Sequence, residues 1–216
     1  MKAWILIRRD FIRTALAAAG AALGLPAKAA DVPTILVLGD SLSAEYGLPR
    51  GAGWVALLQK KLADERIVAQ VVNASISGDT TSGGRARLPA LLKAHQPTVV
   101  VIELGANDAL RGLPLEATEA NLGVMTQAAQ QAGAKVLLIG MQMPPNYGAR
   151  YADQFAAVFP AVASKRQAAL VSFMLKGVAD RPDPLEWFQP DRIHPTAEAH
   201  PTILGNVWPE LRKLIK

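Results

Sequence analysis

The sequence predicts an α/β domain, a three-layer, doubly wound fold around a five-stranded, mainly parallel sheet. Three observations predict it. Short, almost wholly apolar runs alternate with amphipathic stretches, as expected of strands buried on both faces and joined by helical crossovers. The best of these runs stop abruptly at Gly39, Asn73 and Gly105, each beside a cluster of polar residues. No repeat, low-complexity tract or linker interrupts the alternation, and 216 residues are enough for one sizeable core.

Taken in order, Thr34 to Leu38 is a fully apolar strand running into Gly39. From Gly53 to Glu65, Trp54, Leu57, Leu58 and Leu62 recur on one helical face. Arg66 to Val72 reads as the second strand, and a helix carrying Leu88, Leu91 and Leu92 follows. Thr98 to Leu104 is β-branched and nearly continuous, which suits a central strand. Glu116 to Ala132 is helical, and Lys135 to Gly140 is the fourth strand. Ala152 to Lys165 is helical, and Leu170 to Phe173 is a weak fifth strand. A closing helix spans Thr196 to Ile215, interrupted at Pro201. With right-handed crossovers, ligands bind where such strands end. The clusters Gly39-Asp40-Ser41, Asn73 to Asp79, and Gly105-Ala106-Asn107-Asp108 are therefore expected on one edge of the sheet.

Ahead of this domain, residues 1–29 have a basic front end and an Ala- and Gly-rich apolar run. Ala27-Lys28-Ala29 follows as an A-x-A cleavage pattern, so the segment reads as an export signal and residues 30–216 as the mature domain. The apolar run is shorter than the roughly 20 residues of a membrane span. Arg8-Arg9 resembles a twin-arginine signal, although Ile7 stands where Ser or Thr is usual, which leaves the general secretion route open. The whole chain carries a net charge of +5, with 23 Lys and Arg against 18 Asp and Glu. Residues 1–29 hold five of those cations and one of the acids, so the mature domain is left at +1. That balance gives no footprint for nucleic acid. There is no cysteine, hence no disulfide framework, thiolate metal site or cysteine nucleophile. The expectation is a periplasmic or secreted protein.

Why a buried strand should run straight into Ser41 is the chemical question. A serine hydroxyl attacks well only when a base takes its proton, and histidine is the usual base near neutral pH. Of the three histidines, His95 precedes the third strand and belongs at the opposite edge, while His200 lies in the closing helix. His194 remains, in Asp191-Arg192-Ile193-His194-Pro195, on a loop before that helix. Asp191 can fold back to bond the His194 ring and set its tautomer. A lone D-x-x-H spacing is equally compatible with a capped loop bearing a surface histidine.

Four separated blocks carry a family resemblance across essentially the whole mature chain. They are Gly39-Asp40-Ser41-Leu42-Ser43, Gly78 within Asn73 to Thr80, Gly105-Ala106-Asn107-Asp108, and Asp191-Arg192-Ile193-His194. In this order they resemble the GDSL, or SGNH, hydrolases. Gly53-Trp54, Leu110-Arg111-Gly112 and Pro145-Asn146-Tyr147-Gly148 add similarity to the small exported arylesterases and the thioesterase I/lysophospholipase L1-like enzymes.

The resemblance implies a flavodoxin-like, SGNH-hydrolase arrangement of the sheet and an esterase acting by acyl transfer. Ser41 would be the nucleophile, His194 the base and Asp191 its orienter. The backbone N–H groups of Ser41 and Gly78 and the side-chain amide of Asn107 would form the oxyanion hole. Asp40 and Asp108 read as structural partners of their loops. The adjoining loops bring Leu110, Leu113, Met143, Pro145 and Tyr147 as candidates for an apolar acyl site; plain loop packing explains them equally well. The expected partner is a small acyl ester or lipid, with export machinery meeting residues 1–29. No cofactor and no metal is expected, since neither H-E-x-x-H nor a Gly-rich phosphate loop occurs. A carbohydrate O-deacetylase with the same triad and a non-catalytic envelope-binding module are the competing readings.

Overall fold

Strands without polar alternation must be covered on both faces, and the architecture does this. The computed structural model describes residues 32–215, so the export-signal expectation lies outside the described residues. β1 (Thr34–Gly39), β2 (Gln70–Asn73), β3 (Val99–Glu103), β4 (Lys135–Ile139) and β5 (Ala169–Val171) form one sheet in the order β2-β1-β3-β4-β5. Every pairing is parallel. β1 and β3 are the central strands; β3 is wholly buried and β1 is buried from Ile35 onward.

Among the described residues six helices complete the layers: α1 (Trp54–Asp64), α2 (Thr81–His95), the short α3 (Ala106–Leu110), α4 (Leu115–Gln131), α5 (Ala149–Arg166) and α6 (His200–Ile215). α1 packs with α6 on one face of the sheet, while α2, α4 and α5 pack in sequence on the other. Trp54 and Leu58 of α1, Leu122 and Met125 of α4, Phe155 and Phe159 of α5, and Ile203 and Val207 of α6 are all buried against the strands. The chain leaves β1 toward β2 on one side and returns to β3 on the other. The strand order therefore reverses between β1 and β3, and such switch points open a crevice beyond the carboxyl ends. Ser41 and Asn107 follow those two strands.

The main departures from the sequence expectation have local reasons. The fifth strand ends at Val171, short of Phe173, where the chain turns and Met174 N–H bonds the Gly140 carbonyl at 3.0 Å. The second strand begins at Gln70, not Arg66: Arg66 takes φ of 56° and Ile67 N–H bonds back to the Leu62 carbonyl at 2.9 Å, which closes α1 first. Pro201 does not interrupt the closing helix. A 3-10 turn at Ala197–Ala199 precedes α6, and Pro201 sits in the first turn, where a missing N–H costs nothing. α3 was not anticipated; it is a single turn of helix opened by Gly105 at φ of 122°.

Candidate active site

Asp40, directly after β1, organises the turn that carries Ser41. Its Oδ1 accepts from Leu42 N–H at 3.0 Å, and its carbonyl accepts from Ala44 N–H at 2.9 Å. The turn lifts Ser41 to the sheet edge, where Oγ lies 2.8 Å from His194 Nε2. His194 Nδ1 lies 2.6 Å from Asp191 Oδ2. The other oxygen of Asp191 accepts from the backbone N–H groups of Ile193 and His194, both at 3.0 Å. One carboxylate thus shapes the loop and aims the ring. Partial burial alone would raise the Asp191 carboxyl, but these N–H donors and the imidazole hold it down at about 2.

The His194 loop is tied to the Ser41 loop through two residues that the sequence did not single out. Gln189 Nε2 donates to the carbonyls of Tyr46 (2.9 Å) and Pro195 (3.0 Å), and its N–H donates to the His194 carbonyl (2.7 Å). The Tyr46 ring lies against the imidazole with centroids 4.4 Å apart. Neither residue belongs to a spacing pattern, so no sequence signal marked them.

Gly78 has φ of 78°, a left-handed conformation that favours glycine. Its carbonyl accepts from Arg111 Nη2 at 2.8 Å. Its loop runs beside the Ser41 turn because Ala74 and Ile76 N–H continue the β1 pairing to the Val37 and Gly39 carbonyls. Arg87 fastens the base of this loop: Nε bonds Asp79 at 2.8 Å, Nη2 reaches the Gly39 carbonyl at 3.3 Å, and Nη1 bonds the Ala74 carbonyl. Among the described residues, the N–H groups of Ser41 and Gly78 donate to no acceptor. Asn107, in the first turn of α3, donates from Nδ2 to Asp40 Oδ2 at 3.0 Å. Asp108 beside it is buried and accepts from Thr81 N–H (2.9 Å) and Thr81 Oγ1 (2.5 Å), which locks α3 to the start of α2.

A cavity of about 570 Å³ opens from Ser41, Asn107 and His194. Its walls are mainly apolar and include Leu110, Met141, Met143, Phe173, Leu175, Leu185 and Phe188. Of the residues proposed from sequence for an acyl site, Leu110 and Met143 line it. Leu113 and Tyr147 are half-exposed and are not part of its wall; Pro145 falls in the 3-10 turn Pro145–Tyr147 beside it. Phe173, expected at the end of the fifth strand but lying past it, and Leu175 to Phe188, which had no periodic signal because they lie in turns and a 3-10 segment at Pro184–Trp187, supply much of the wall. Gly78 is also outside the wall. No group of three or more His, Asp or Glu among the described residues is arranged to hold a metal ion. No helix among them is long and apolar enough to cross a membrane.

A serine, an imidazole and a carboxylate in hydrogen-bond succession at the switch point of a parallel sheet define a hydrolase class by geometry. Residues 37–201 match the model of the GDSL-like lipase/acylhydrolase family, and the chain belongs to that family. It is similar to esterase TesA of Pseudomonas aeruginosa, at 53% identity over 90% of this chain and 95% of that one. It is also similar to thioesterase 1/protease 1/lysophospholipase L1 of Escherichia coli K12, at 44% identity over 87% of this chain and 88% of the other. Among solved structures, the psychrotrophic esterase EstA of a Pseudoalteromonas species, inhibited by monoethylphosphonate, superposes with a TM-score of 0.78. The two are 41% identical over 83% of this chain and 97% of EstA. The protein is a GDSL-type esterase with a five-stranded parallel sheet covered on both faces.

Proposed function

We propose that this esterase cleaves acyl esters with an extended apolar acyl chain, aryl esters and lysophospholipids among them, through an acyl-enzyme on Ser41. The observation that carries the reading is the Ser41–His194–Asp191 succession at 2.8 and 2.6 Å, set at the mouth of a largely apolar cavity. Ser41 Oγ attacks the ester carbonyl as His194 Nε2 takes its proton. Asp191, ionised at any working pH, holds the ring tautomer and stabilises the imidazolium. Ser41 N–H, Gly78 N–H and Asn107 Nδ2 receive the charge on the tetrahedral oxygen, each such donor contributing about 10²–10³ in kcat. The imidazolium protonates the leaving alcohol, and water activated by His194 releases the acid. The acyl chain extends along Met141, Met143, Phe173 and Leu185; an acetyl group would leave most of that wall uncovered, which favours longer acyl groups over a sugar acetate.

Residues 1–29 are proposed to direct export, with the mature enzyme working in the periplasm or outside the cell. Lysophospholipids and other envelope esters then suit it better than cytosolic thioesters, although thioester cleavage is the same chemistry.

The test is to assay the protein from residue 30 onward and its Ser41→Ala variant against p-nitrophenyl esters from acetyl to palmitoyl. Turnover should rise with chain length and vanish in the variant. A flat or acetyl-selective profile would favour the deacetylase, and activity that survives Ser41→Ala would remove the nucleophile assignment. Fractionation of cells expressing the full chain, and the Arg8→Lys/Arg9→Lys form, checks the export route.

A further inference from the structure

β3 reads Val99-Val100-Val101-Ile102-Glu103, four apolar residues and then a carboxyl that is fully buried. Glu103 pairs in register with Gly39, directly beneath the nucleophile turn. A Cβ at Gly39 would stand 2.8 Å from Glu103 Oε2, so the glycine is what admits this carboxyl. Nothing in the acyl-transfer scheme uses it. We infer that Glu103 is a positioning residue of the esterase: it stays protonated and neutral beside Asp40, and thereby leaves Asp40 as the ionised acceptor that sets the orientation of the Asn107 amide.

Hydrogen-bond direction supports this. The indole Nε1 of Trp54 can only donate, and it donates to Ser43 Oγ at 3.1 Å. Ser43 Oγ–H in turn donates to Glu103 Oε2 at 2.8 Å, which leaves Oε1 as the oxygen able to carry a proton. Asp40 N–H reaches the same oxygen at 3.3 Å. Oε1 of Glu103 is buried and has no partner. An ionised carboxylate with one orphaned buried oxygen is costly, whereas a protonated one is a donor. Asp40, also buried, has both oxygens filled by donors, Leu42 N–H and Asn107 Nδ2.

Two buried carboxyls in contact do not both ionise. Burial, and then the charge on Asp40, push the Glu103 carboxyl well above its ordinary range. Burial also raises Asp40, to about 6, against the pull of Leu42 N–H, His194 and Asn107. With both oxygens of Asp40 filled by donors and one oxygen of Glu103 orphaned, the proton resides on Glu103 and the charge on Asp40. The other titratable or charged groups facing the pair are His194 across Ser41, Arg87 on the Gly39 carbonyl, and His200, whose Nδ1 accepts from Trp54 N–H at 2.9 Å.

The consequence for the reaction is geometric. An amide can present either its oxygen or its NH₂, and an oxygen turned toward the substrate would repel the oxyanion. An ionised Asp40 accepts and cannot donate, so it retains the NH₂ of Asn107. One N–H stays with Asp40, and the second is left for the substrate oxygen.

The inference rests on the oxyanion role proposed for Asn107, and the experiment separates the two. Steady-state kinetics are measured on wild type, Asn107→Ala, Asp40→Asn, Glu103→Leu and Glu103→Gln, with the infrared carbonyl region of wild type and Glu103→Gln recorded at pH 7. Asp40→Asn and Glu103→Leu should lower kcat by about 10²-fold with little change in KM, since the interaction lost is made in the transition state. Glu103→Gln, a neutral donor of the same shape, should recover most of that loss, to within about threefold of wild type. Wild type should show the carbonyl stretch of a protonated carboxylic acid, missing from Glu103→Gln. Glu103→Gln as impaired as Glu103→Leu would overturn the inference, because Glu103 would then be acting as a carboxylate. The wild-type spectrum without that band does so too, even if Glu103→Leu does not fold. An unimpaired Asn107→Ala would instead remove the oxyanion reading itself.

Discussion

The two halves of the active-site edge are held in different ways. On the side of the proposed nucleophile, Ser41, Gly78 and Asn107 follow β1, β2 and β3, and partly or wholly buried side chains tie each loop to the next. Arg87 joins the first two, Asp108 joins the third to α2, and Asp40 joins the first to the third. On the base side, residues 172–195 follow a three-residue strand and run through turns and a 3-10 segment. His194 is held there mostly by its own loop, through Asp191 and Gln189. Leu185 and Ile193, exposed by 56% and 48%, face the cavity from the same segment. In the proposed mechanism, the groups that meet charge at a fixed point stand in the loops and the short helical turn that follow β1, β2 and β3. The group proposed to pass a proton in both directions, and much of the wall proposed to meet a variable substrate, are built on a loop.

Breaking the base side at its centre has the largest expected effect. His194→Ala should lower kcat by about 10⁵–10⁶, with the melting temperature unchanged, read by single-turnover assay and thermal melting. Asp191→Asn should cost about 10⁴ in kcat by releasing the wrong tautomer. Because the Asp191 carboxyl sits at about 2, wild type should show no activity limb from this group above pH 3. Its contribution to stability is present above the ordinary carboxylate range and lost only as pH falls through about 2.

The nucleophile side should fail through stability first. Asp108→Ala leaves the Thr81 N–H and the Thr81 hydroxyl proton without an acceptor in the interior, and a loss of about 3 kcal/mol is expected. Calorimetry should then read a drop of roughly 6–12 °C. A melting point unchanged by this substitution would mean that the clamp between α3 and α2 is not what stiffens this side. Smaller still, Leu185→Ala removes about 1–1.5 kcal/mol of acyl contact. KM for palmitoyl esters should rise several-fold while the acetyl ester is untouched, which places selectivity on the base side.

The smallest effect concerns Glu103. Its folded value is raised, so the native state holds a proton that the unfolded chain releases above about 4.5. That stability is fully present below 4.5 and falls away as pH rises. Glu103→Gln has no such loss, and its melting temperature should exceed that of wild type by a few degrees at pH 7 and converge with it below pH 4.5.

Much of this was legible in the residues. β1, β3 and β4 announced themselves as unbroken apolar runs, and α1 through the spacing of Trp54, Leu58 and Leu62. Asp191 and His194 are local neighbours, so their contact needs only one turn. Glu103 is marked in the sequence only as the one charge ending an otherwise apolar strand, which does not by itself assign it a role. Tyr46, Gln189 and Leu185 carried none, since each acts on a partner far away in sequence or from an irregular segment.

The sequence by itself determined the alternation of strands and helices, the glycines that let the loops turn, and the residue types able to attack, accept a proton and donate to an oxyanion. These follow from periodicity and side-chain chemistry, which act over a few residues. Only the tertiary structure decided that Ser41 and His194, 153 positions apart, meet at 2.8 Å, and that Asn107 faces Asp40. It also decided that residues 173–193 close the cavity. Those outcomes depend on strand order and on how crossovers pack, and side chains distant in sequence acquire a distance only once the sheet has formed.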